Sequence, residues 1–188
     1  SDVCSSDLSN EIVSHLDWFP TILAAAGDPE IGAKLKKGLK IGKKKFKVHL
    51  DGYNLIPHLT GKSAKSPREG FIYFTDDGDV AALRYDNWKM LFLEQRVQGT
   101  LKIWQEPFVE LRTPYIFNMR LDPYEKAQIT SNTFYDWMFK HVYLLVPAQA
   151  GIAEFLSTFK DFPPVQKPNT FTLDDALRTM HETASGMH

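Results

Sequence analysis

The chain has 188 residues, enough for one domain or slightly more, because globular domains usually contain roughly 100–200 residues. Its composition is 43% hydrophobic, 13% aromatic and 24% charged, which excludes a disordered or collagen-like protein. The formal net charge of -1 gives no overall field that would attract nucleic acid or an anionic membrane. We therefore predict a compact protein that does not bind nucleic acid.

Residues 1–8 differ in character from the rest of the chain. They have neither a basic start nor an apolar stretch, so they are not a signal peptide. They resemble the translation of a sequencing adapter, and we predict a non-native tail that ends before Ser9. Cys4 is the single cysteine and lies in this tail, which excludes an internal disulfide and a cysteine metal site.

The first protein-like segment predicts a short strand at Glu11–Val13 followed by a helix from Asp17 to Ala26. Asp17 is the predicted N-cap, which we prefer to Ser14 because Pro20 then falls at the third helical position. Gly27 supplies the stop. The residues expected on one apolar face are Phe19, Ile22, Leu23 and Ala26.

A lysine-rich stretch follows this helix. It contains no arginine and only one aromatic residue, Phe46, so we predict a solvated hairpin with a turn at 41–43 and not a phosphate-binding patch. The stretch comprises Lys34, Lys36, Lys37, Lys40, Lys43, Lys44, Lys45 and Lys47. The next segment predicts an Asp51-Gly52 turn and a brief helical turn that buries Leu55, Ile56 and Leu59.

From Gly70 onward the sequence predicts an antiparallel sheet. Three strands at 71–74, 80–84 and 88–93 are separated by turn sequences, which is typical of a meander. Segments 101–104 and 115–118 are predicted as outer strands. The prediction is a sheet of about four strands that needs cover on one face.

Helices after residue 131 are predicted to provide that cover. Apolar residues recur there at helical spacing, and Pro147 is expected to kink or split the element. The stripe comprises Phe134, Trp137, Met138, His141, Leu145, Ala148, Ile152, Phe155, Leu156 and Phe159. We predict core packing for this stripe, with a subunit contact in a homo-oligomer as the alternative. A last helix is predicted from Thr172 or Asp174 to Met180.

These elements predict an α+β fold with a boundary after residue 62. Residues 9–62 form one predicted unit and residues 63–188 a sheet-plus-helix subdomain. No apolar run approaches the ~20 residues that cross a bilayer, because Pro147 interrupts the longest, so no membrane span is predicted.

No residue pattern identifies a catalytic or metal site. Asp76, Asp77 and Asp79 surround Gly78 but lack the glutamate of a calcium loop, so a hairpin turn is the better interpretation. No two histidines stand at i and i+4 on one helix, and we predict that His141 is a satisfied core residue. The catalytic and metal residues are therefore predicted as none, and no motif assigns a substrate-binding residue. The histidines are His15, His49, His58, His141, His181 and His188.

Four segments, in this order, resemble the sulfatase family and most of all bacterial arylsulfatases. Segment 14–27, SHLDWFPTILAAAG, is similar to the helix that closes the large α/β domain of sulfatases, so the resemblance implies that residues 9–62 are the end of that catalytic domain, which is incomplete here. Segment 50–61, LDGYNLIPHLTG, follows the family pattern Asp-Gly-x-x-Leu-x-Pro-x-Leu-x-Gly. Segments 84–89, RYDNWK, and 116–125, IFNMRLDPYE, resemble the hairpin and the Asp-Pro turn of the small C-terminal sheet domain.

The resemblance implies a parent enzyme that hydrolyses sulfate esters. Such enzymes use a formylglycine nucleophile made from Cys or Ser, and a calcium ion held by Asp and Asn side chains. In the family those motifs precede the point where this sequence begins, and Cys4 has no arginine at the required spacing. The resemblance therefore implies an inactive C-terminal portion whose partner is a catalytic domain, in the periplasm or the cytoplasm.

Two alternatives stay open. One is a related phosphonate or phosphate ester hydrolase of the alkaline-phosphatase-like superfamily, and the other is a noncatalytic interaction module. The upstream coding sequence separates the three readings: a formylglycine signature supports a sulfatase, and a start codon near Ser9 supports a module.

Overall fold

The computed structural model describes residues 9–97, 99 and 101–164. The predicted tail 1–8, with Cys4, and the predicted helix that ends at Met180 lie outside the described residues. The described part is α+β, with one four-stranded antiparallel sheet, a small two-stranded sheet and several helices. The predicted fold class is confirmed.

The N-terminal segment begins with a 3-10 turn and not with the predicted strand. Residues 11–13 have no strand partner, and Ser14 caps the turn His15–Asp17 through a reciprocal capping box with Asp17. Helix α1 follows at Trp18–Ala25 and carries Pro20 at its third position, as predicted. Asp17 lies at the N-cap of α1 but makes no side-chain capping bond there, because its carboxylate is engaged elsewhere.

The apolar faces of the first helix and of the short helical turn at 55–59 were predicted to be buried, but each has solvent-exposed residues within the described part. Phe19 and Ile22 of α1 are 52% and 62% exposed, whereas Pro20 and Thr21 are buried. Leu55 is buried as predicted, but Leu59 is 56% exposed. The pattern identified these helices correctly, but the packing of each face depends on partners that periodicity alone does not specify.

The lysine-rich stretch forms a helix and then the predicted hairpin. Helix α2 spans Ile31–Lys37, and strands β1, Leu39–Ile41, and β2, Lys44–Phe46, pair around Gly42 and Lys43. The helix was not predicted, because four of its seven residues are lysine or glycine, and too few apolar residues remain to show a helical period. Helix α3, Ile56–Leu59, follows the Asp51-Gly52 turn.

The four-stranded sheet confirms the predicted meander. Strands β3, Gly70–Phe74, β4, Val80–Tyr85, β5, Trp88–Glu94, and β6, Val109–Asn118, lie in that order and are all antiparallel. Segment Leu101–Trp104 is a 3-10 turn, so the outer strand predicted there is wrong. One row of paired residues crosses the sheet and points to the helices: Ile72, Leu83, Met90 and Ile116.

Helices α4, Ala127–Thr130, α5, Phe134–Lys140, and α6, Leu145–Ser157, follow the sheet. The core combines strand and helix residues, as predicted for the apolar stripe. Its buried members are Met90, Ile116, Phe117, Phe134, Met138 and Ala148.

The break between α5 and α6 falls at His141 and not at the predicted Pro147. His141 Nδ1 lies 2.7 Å from the carbonyl oxygen of Trp137, the acceptor that a continuous α-helix would offer to the His141 amide. That amide bonds instead to Met138 O at 2.9 Å. Pro147 is the third residue of α6, where a missing N–H leaves no intrahelical bond unmade.

The continuous helical stretch Val142–Lys160 is apolar enough, over 19 residues, to meet the length and composition criteria for a membrane span. Its mean hydropathy is 1.3, and only 6% of the window is buried inside the protein. Core helices of soluble proteins meet the same criteria, so this is weak evidence. The prediction that Pro147 interrupts this apolar run is wrong, because Pro147 lies in the first turn of α6, where a proline does not interrupt the helix.

Candidate functional site

The described residues contain no group of three or more His, Cys, Asp or Glu side chains that could hold a metal ion. Three of the described histidines have ordinary partners. His141 packs on Trp137 at a ring distance of 4.4 Å, His49 lies 3.0 Å from Asp51, and His58 lies 3.3 Å from Ser63 O. The hydrogen bond predicted for His141 is confirmed, but the residue is half-buried and lies at the edge of the core.

A buried ion pair joins the N-terminal segment to the sheet. Arg68 donates from Nε to Asp17 Oδ2 at 2.8 Å and from Nη2 to Asp17 Oδ1 at 2.6 Å. It also donates to the carbonyl oxygens of Asp51 at 2.7 Å and Gly70 at 3.1 Å. Four of the donor bonds available to a guanidinium are therefore made. We call this cluster of Asp17, Arg68 and their partners the Arg68 joint.

The Asp17 carboxylate is held ionised by its partners. The two side chains are 0% and 4% exposed, for Asp17 and Arg68 respectively. Burial alone would raise the pKa of Asp17, but the bonds from Arg68 and from the amides of Tyr53 and Ser14 hold that pKa below its ordinary value of 3.8. A buried pair that is this fully bonded fixes three chain segments in one arrangement.

Two smaller features complete the Arg68 joint. The Thr21 hydroxyl accepts a hydrogen bond from the Leu55 amide at 2.9 Å and donates one to the carbonyl oxygen of Asp17 at 2.6 Å. Gly52 passes so close to the 3-10 turn that a Cβ there would collide with the carbonyl oxygen of Leu16. Only glycine allows this approach, which explains the Asp-Gly pair of segment 50–61.

A second set of contacts links segments 84–89 and 116–125. Lys89 Nζ lies 2.6 Å from Glu125 Oε1, and Arg120 Nε donates to Asn87 Oδ1 at 2.7 Å. Asp122 accepts from the amides of Lys126 and Ala127 at 3.0 and 2.8 Å, and so caps α4. The residues of these two segments thus hold the β4–β5 turn against the end of β6.

Two of the clefts on the described surface lie beside the residues discussed above. The larger, about 1140 Å³, lies between the helix-facing side of β3 and β4, the first turns of α6, and residues 49–53. Its walls are mainly apolar, and include Ile72, Leu83, Leu144 and Phe155. The smaller, about 350 Å³, has a polar lining from residues 10–12, 65–66, 68–69, 84–87 and Arg120. We call it the Arg84 cleft.

No sequence pattern indicates that Arg68 is buried or that the Nε atom of Arg84 is enclosed. Asp17 was recognised only as a possible helix cap, because its capping sequence is local. Its partner Arg68 is 51 residues away, so no periodic or spacing signal connects them. A proline before the arginine, in Ser66-Pro67-Arg68, is the single local hint of a fixed extended segment.

No family model matches the chain, and no curated protein matches it. A solved structure described as the crystal structure of PsFucS1 sulfatase from Pseudoalteromonas sp. aligns with 61% of this chain at 21% identity and a TM-score of 0.42. The chain spans about a fifth of that protein, since 22% of that protein is covered. The neighbour is a sulfatase, but a similarity of this size carries no argument about activity.

Proposed function

We propose that the chain is the C-terminal portion of an arylsulfatase, a sulfuric ester hydrolase, and that its sheet subdomain supports the catalytic domain without performing chemistry. In the proposed parent, upstream residues supply the formylglycine nucleophile and the calcium ligands. The described residues supply the joint that fastens the end of the catalytic domain to the sheet.

The observation that carries this proposal is the pairing of the four resembling segments. Segments 14–27 and 50–61 meet through Asp17 and Tyr53, whose amide lies 2.8 Å from Asp17 Oδ1. Segments 84–89 and 116–125 meet through Lys89 and Glu125. The residues that resemble the family therefore make one another's long-range contacts, which is expected if the four segments belong to one inherited arrangement.

The exposed face of α1 also supports the proposal. Trp18, Phe19 and Ile22 are 47%, 52% and 62% exposed, which places three large apolar side chains together in solvent. Such a patch on a short amphipathic helix is typical of a surface that another part of a protein covers. In the proposal, the catalytic α/β domain covers this face.

The test compares the chain with its parent. The coding sequence upstream of Ser9 is determined and the whole protein is expressed with a formylglycine-generating enzyme and calcium. We expect the whole protein to cleave a chromogenic aryl sulfate, and the 188-residue chain to be inactive under the same conditions. Turnover by the chain that persists through repurification overturns the proposal.

The same experiment separates the alternatives. Cleavage of a phosphate or phosphonate diester in preference to an aryl sulfate identifies the related hydrolase. A start codon near Ser9, with no upstream formylglycine signature, identifies a noncatalytic module. Either result contradicts the sulfatase proposal.

A further inference from the structure

We propose that the hairpin of β1 and β2 docks on the surface of an anionic phospholipid membrane, with its lysines at the headgroups and its apolar side chains at the acyl boundary. We call this surface, residues 36–48, the lysine hairpin. The proposal concerns the described residues themselves and does not depend on the proposed sulfatase function.

The first observation is a local concentration of positive charge. Residues 31–50 contain eight lysines and no aspartate or glutamate, although the whole chain has a formal net charge of -1. The rest of the chain is therefore net negative, and the two signs are separated along the sequence. A molecule with this asymmetry turns its basic face towards an anionic surface, even though its net charge gives no overall attraction.

The second observation is that most of these charges are not matched inside the protein. Among the described residues, Lys34 alone of the eight lysines has an acidic partner, Asp28, at 2.8 Å. The seven lysines from 36 to 47 are all exposed. One of them, Lys47, lies with its Nζ 5.4 Å from the ring centre of Phe162, a contact that leaves its charge uncompensated. The lysine hairpin therefore presents a basic surface to its surroundings.

The third observation is an exposed apolar face between the lysines. The register of β1 and β2 places Leu39, Ile41 and Phe46 on one face of the hairpin, because paired residues of an antiparallel ladder share a face. Ile41, Phe46 and the following Val48 are exposed. At a membrane surface, apolar side chains enter the acyl boundary, while lysine stems extend along it and keep their ammonium groups at the headgroups.

The lysine hairpin stands on a fixed base and has no groove. The buried Leu35 of α2 accepts a hydrogen bond from the Val48 amide at 3.1 Å, which ties the end of the hairpin to that helix. Neither the larger cleft nor the Arg84 cleft is lined by residues 31–48. A fluid lipid surface closes around a hairpin of this kind, whereas a peptide partner needs a groove or pocket to enter.

The composition favours a lipid surface over a nucleic acid. The stretch has no arginine for bidentate phosphate contacts, and Phe46 is its single aromatic residue, which is too few for a base-stacking platform. A lipid surface requires neither feature, because lysines act on it as point charges among the headgroups.

The test measures co-sedimentation of the 188-residue chain with vesicles of phosphatidylcholine that contain phosphatidylglycerol, and with vesicles of phosphatidylcholine alone. We expect binding to the anionic vesicles, with a partition coefficient that falls steeply as sodium chloride is added, because salt screens the lysines. Each lysine near an anionic leaflet contributes about fivefold to binding, so Lys43→Gln combined with Lys44→Gln should weaken it about 25-fold.

The matched control is Lys62→Gln combined with Lys126→Gln, which removes the same charge from exposed positions outside the lysine hairpin. This variant should bind the anionic vesicles as the unchanged chain does. Equal weakening by the two double variants would show that net charge alone drives binding, and it overturns the proposal. Equal binding of the unchanged chain to both kinds of vesicle also overturns it.

Ile41→Ser tests the apolar contribution, since it keeps every charge and changes an exposed side chain. It should weaken binding to the anionic vesicles several-fold, because apolar surface no longer enters the acyl boundary. An unchanged partition coefficient of Ile41→Ser contradicts the docking geometry. Binding to a single-stranded oligonucleotide in the absence of vesicle binding overturns the proposal and identifies nucleic acid as the partner. Absence of sulfatase activity in the whole protein leaves the vesicle result unaffected.

Discussion

Two arginines of the sheet subdomain, the buried Arg68 and the half-buried Arg84, line one cleft and have opposite surroundings. Arg68 pairs with Asp17 through two bonds and reaches two backbone carbonyls, so its charge is matched inside the protein. The buried Nε of Arg84 has no acceptor among the described residues. Arg68 holds the fold together, whereas Arg84 keeps one donor without a partner in the described part of the chain.

This difference leads to opposite expectations for the same substitution. Removing one partner of a matched buried pair strands the other charge, whereas removing an unmatched donor relieves an existing cost. Substitutions at each arginine and its neighbours, followed by unfolding measurements, therefore test this difference.

The largest expected effect is that of Arg68→Met. It leaves the Asp17 carboxylate buried without its cation, and we expect the free energy of unfolding to fall by about 3–5 kcal/mol. Urea unfolding followed by tryptophan fluorescence measures the change. Arg96→Met, which removes an exposed pair with Glu94 at 3.6 Å, is the control and should cost less than about 1 kcal/mol. Equal losses for the two variants would show that the Arg68 joint is not a special feature.

Gly52→Ala comes next. The added Cβ would collide with the Leu16 carbonyl, so the Arg68 joint must open slightly, at a cost of about 1–3 kcal/mol. The matched control is Gly32→Ala in α2, where a Cβ meets no atom within 4 Å. We expect that change to be neutral or to stabilise by up to about 1 kcal/mol. The midpoints of thermal unfolding of both variants measure the effect. A stabilising Gly52→Ala would contradict the close approach of Gly52 to the Leu16 carbonyl.

The pH dependence of stability tests the state of Asp17. Its pKa is lowered in the folded protein, so the unfolded chain binds the proton more readily. The stabilisation is fully present above the ordinary value of 3.8 and is lost as the pH falls through the lowered value. We expect urea midpoints to drop on acidification below about pH 4. Asp17→Asn should lack this component, and an identical acid profile in that variant would refute the assignment.

The smallest effect on stability is expected for Arg84→Met. Because no described acceptor is stranded, the free energy of unfolding should stay within about 1 kcal/mol or rise slightly. The measurement is the same urea titration used for Arg68→Met. A loss comparable to that of Arg68→Met would show that Arg84 has a structural partner after all.

Local patterns predicted most of the secondary structure. Alternating strand formers and the Asp-Asn turn predicted β3, β4 and β5, and these three strands form the meander. Leu101–Trp104 was misassigned, because four apolar-rich residues fit a strand and a 3-10 turn equally well. The break at His141 was missed, since it depends on a side chain that takes a backbone acceptor and stacks on Trp137.

The site features were much less predictable. Gly52 was read only as a turn residue, although its approach to Leu16 depends on how two segments meet in space. The pairing of Asp17 with Arg68, and the burial of the Arg84 Nε atom without an acceptor among the described residues, depend in the same way on contacts between distant segments.

The fold class, the order of the strands and the resemblance of four segments to sulfatases follow from the amino-acid sequence, because they depend on local pattern and on residue identity. Which charged groups are buried, which are paired and which have no partner in the described part of the chain is visible in the folded structure alone. The physical reason is that burial and hydrogen bonding are set by residues far apart in the chain, and no local spacing encodes them.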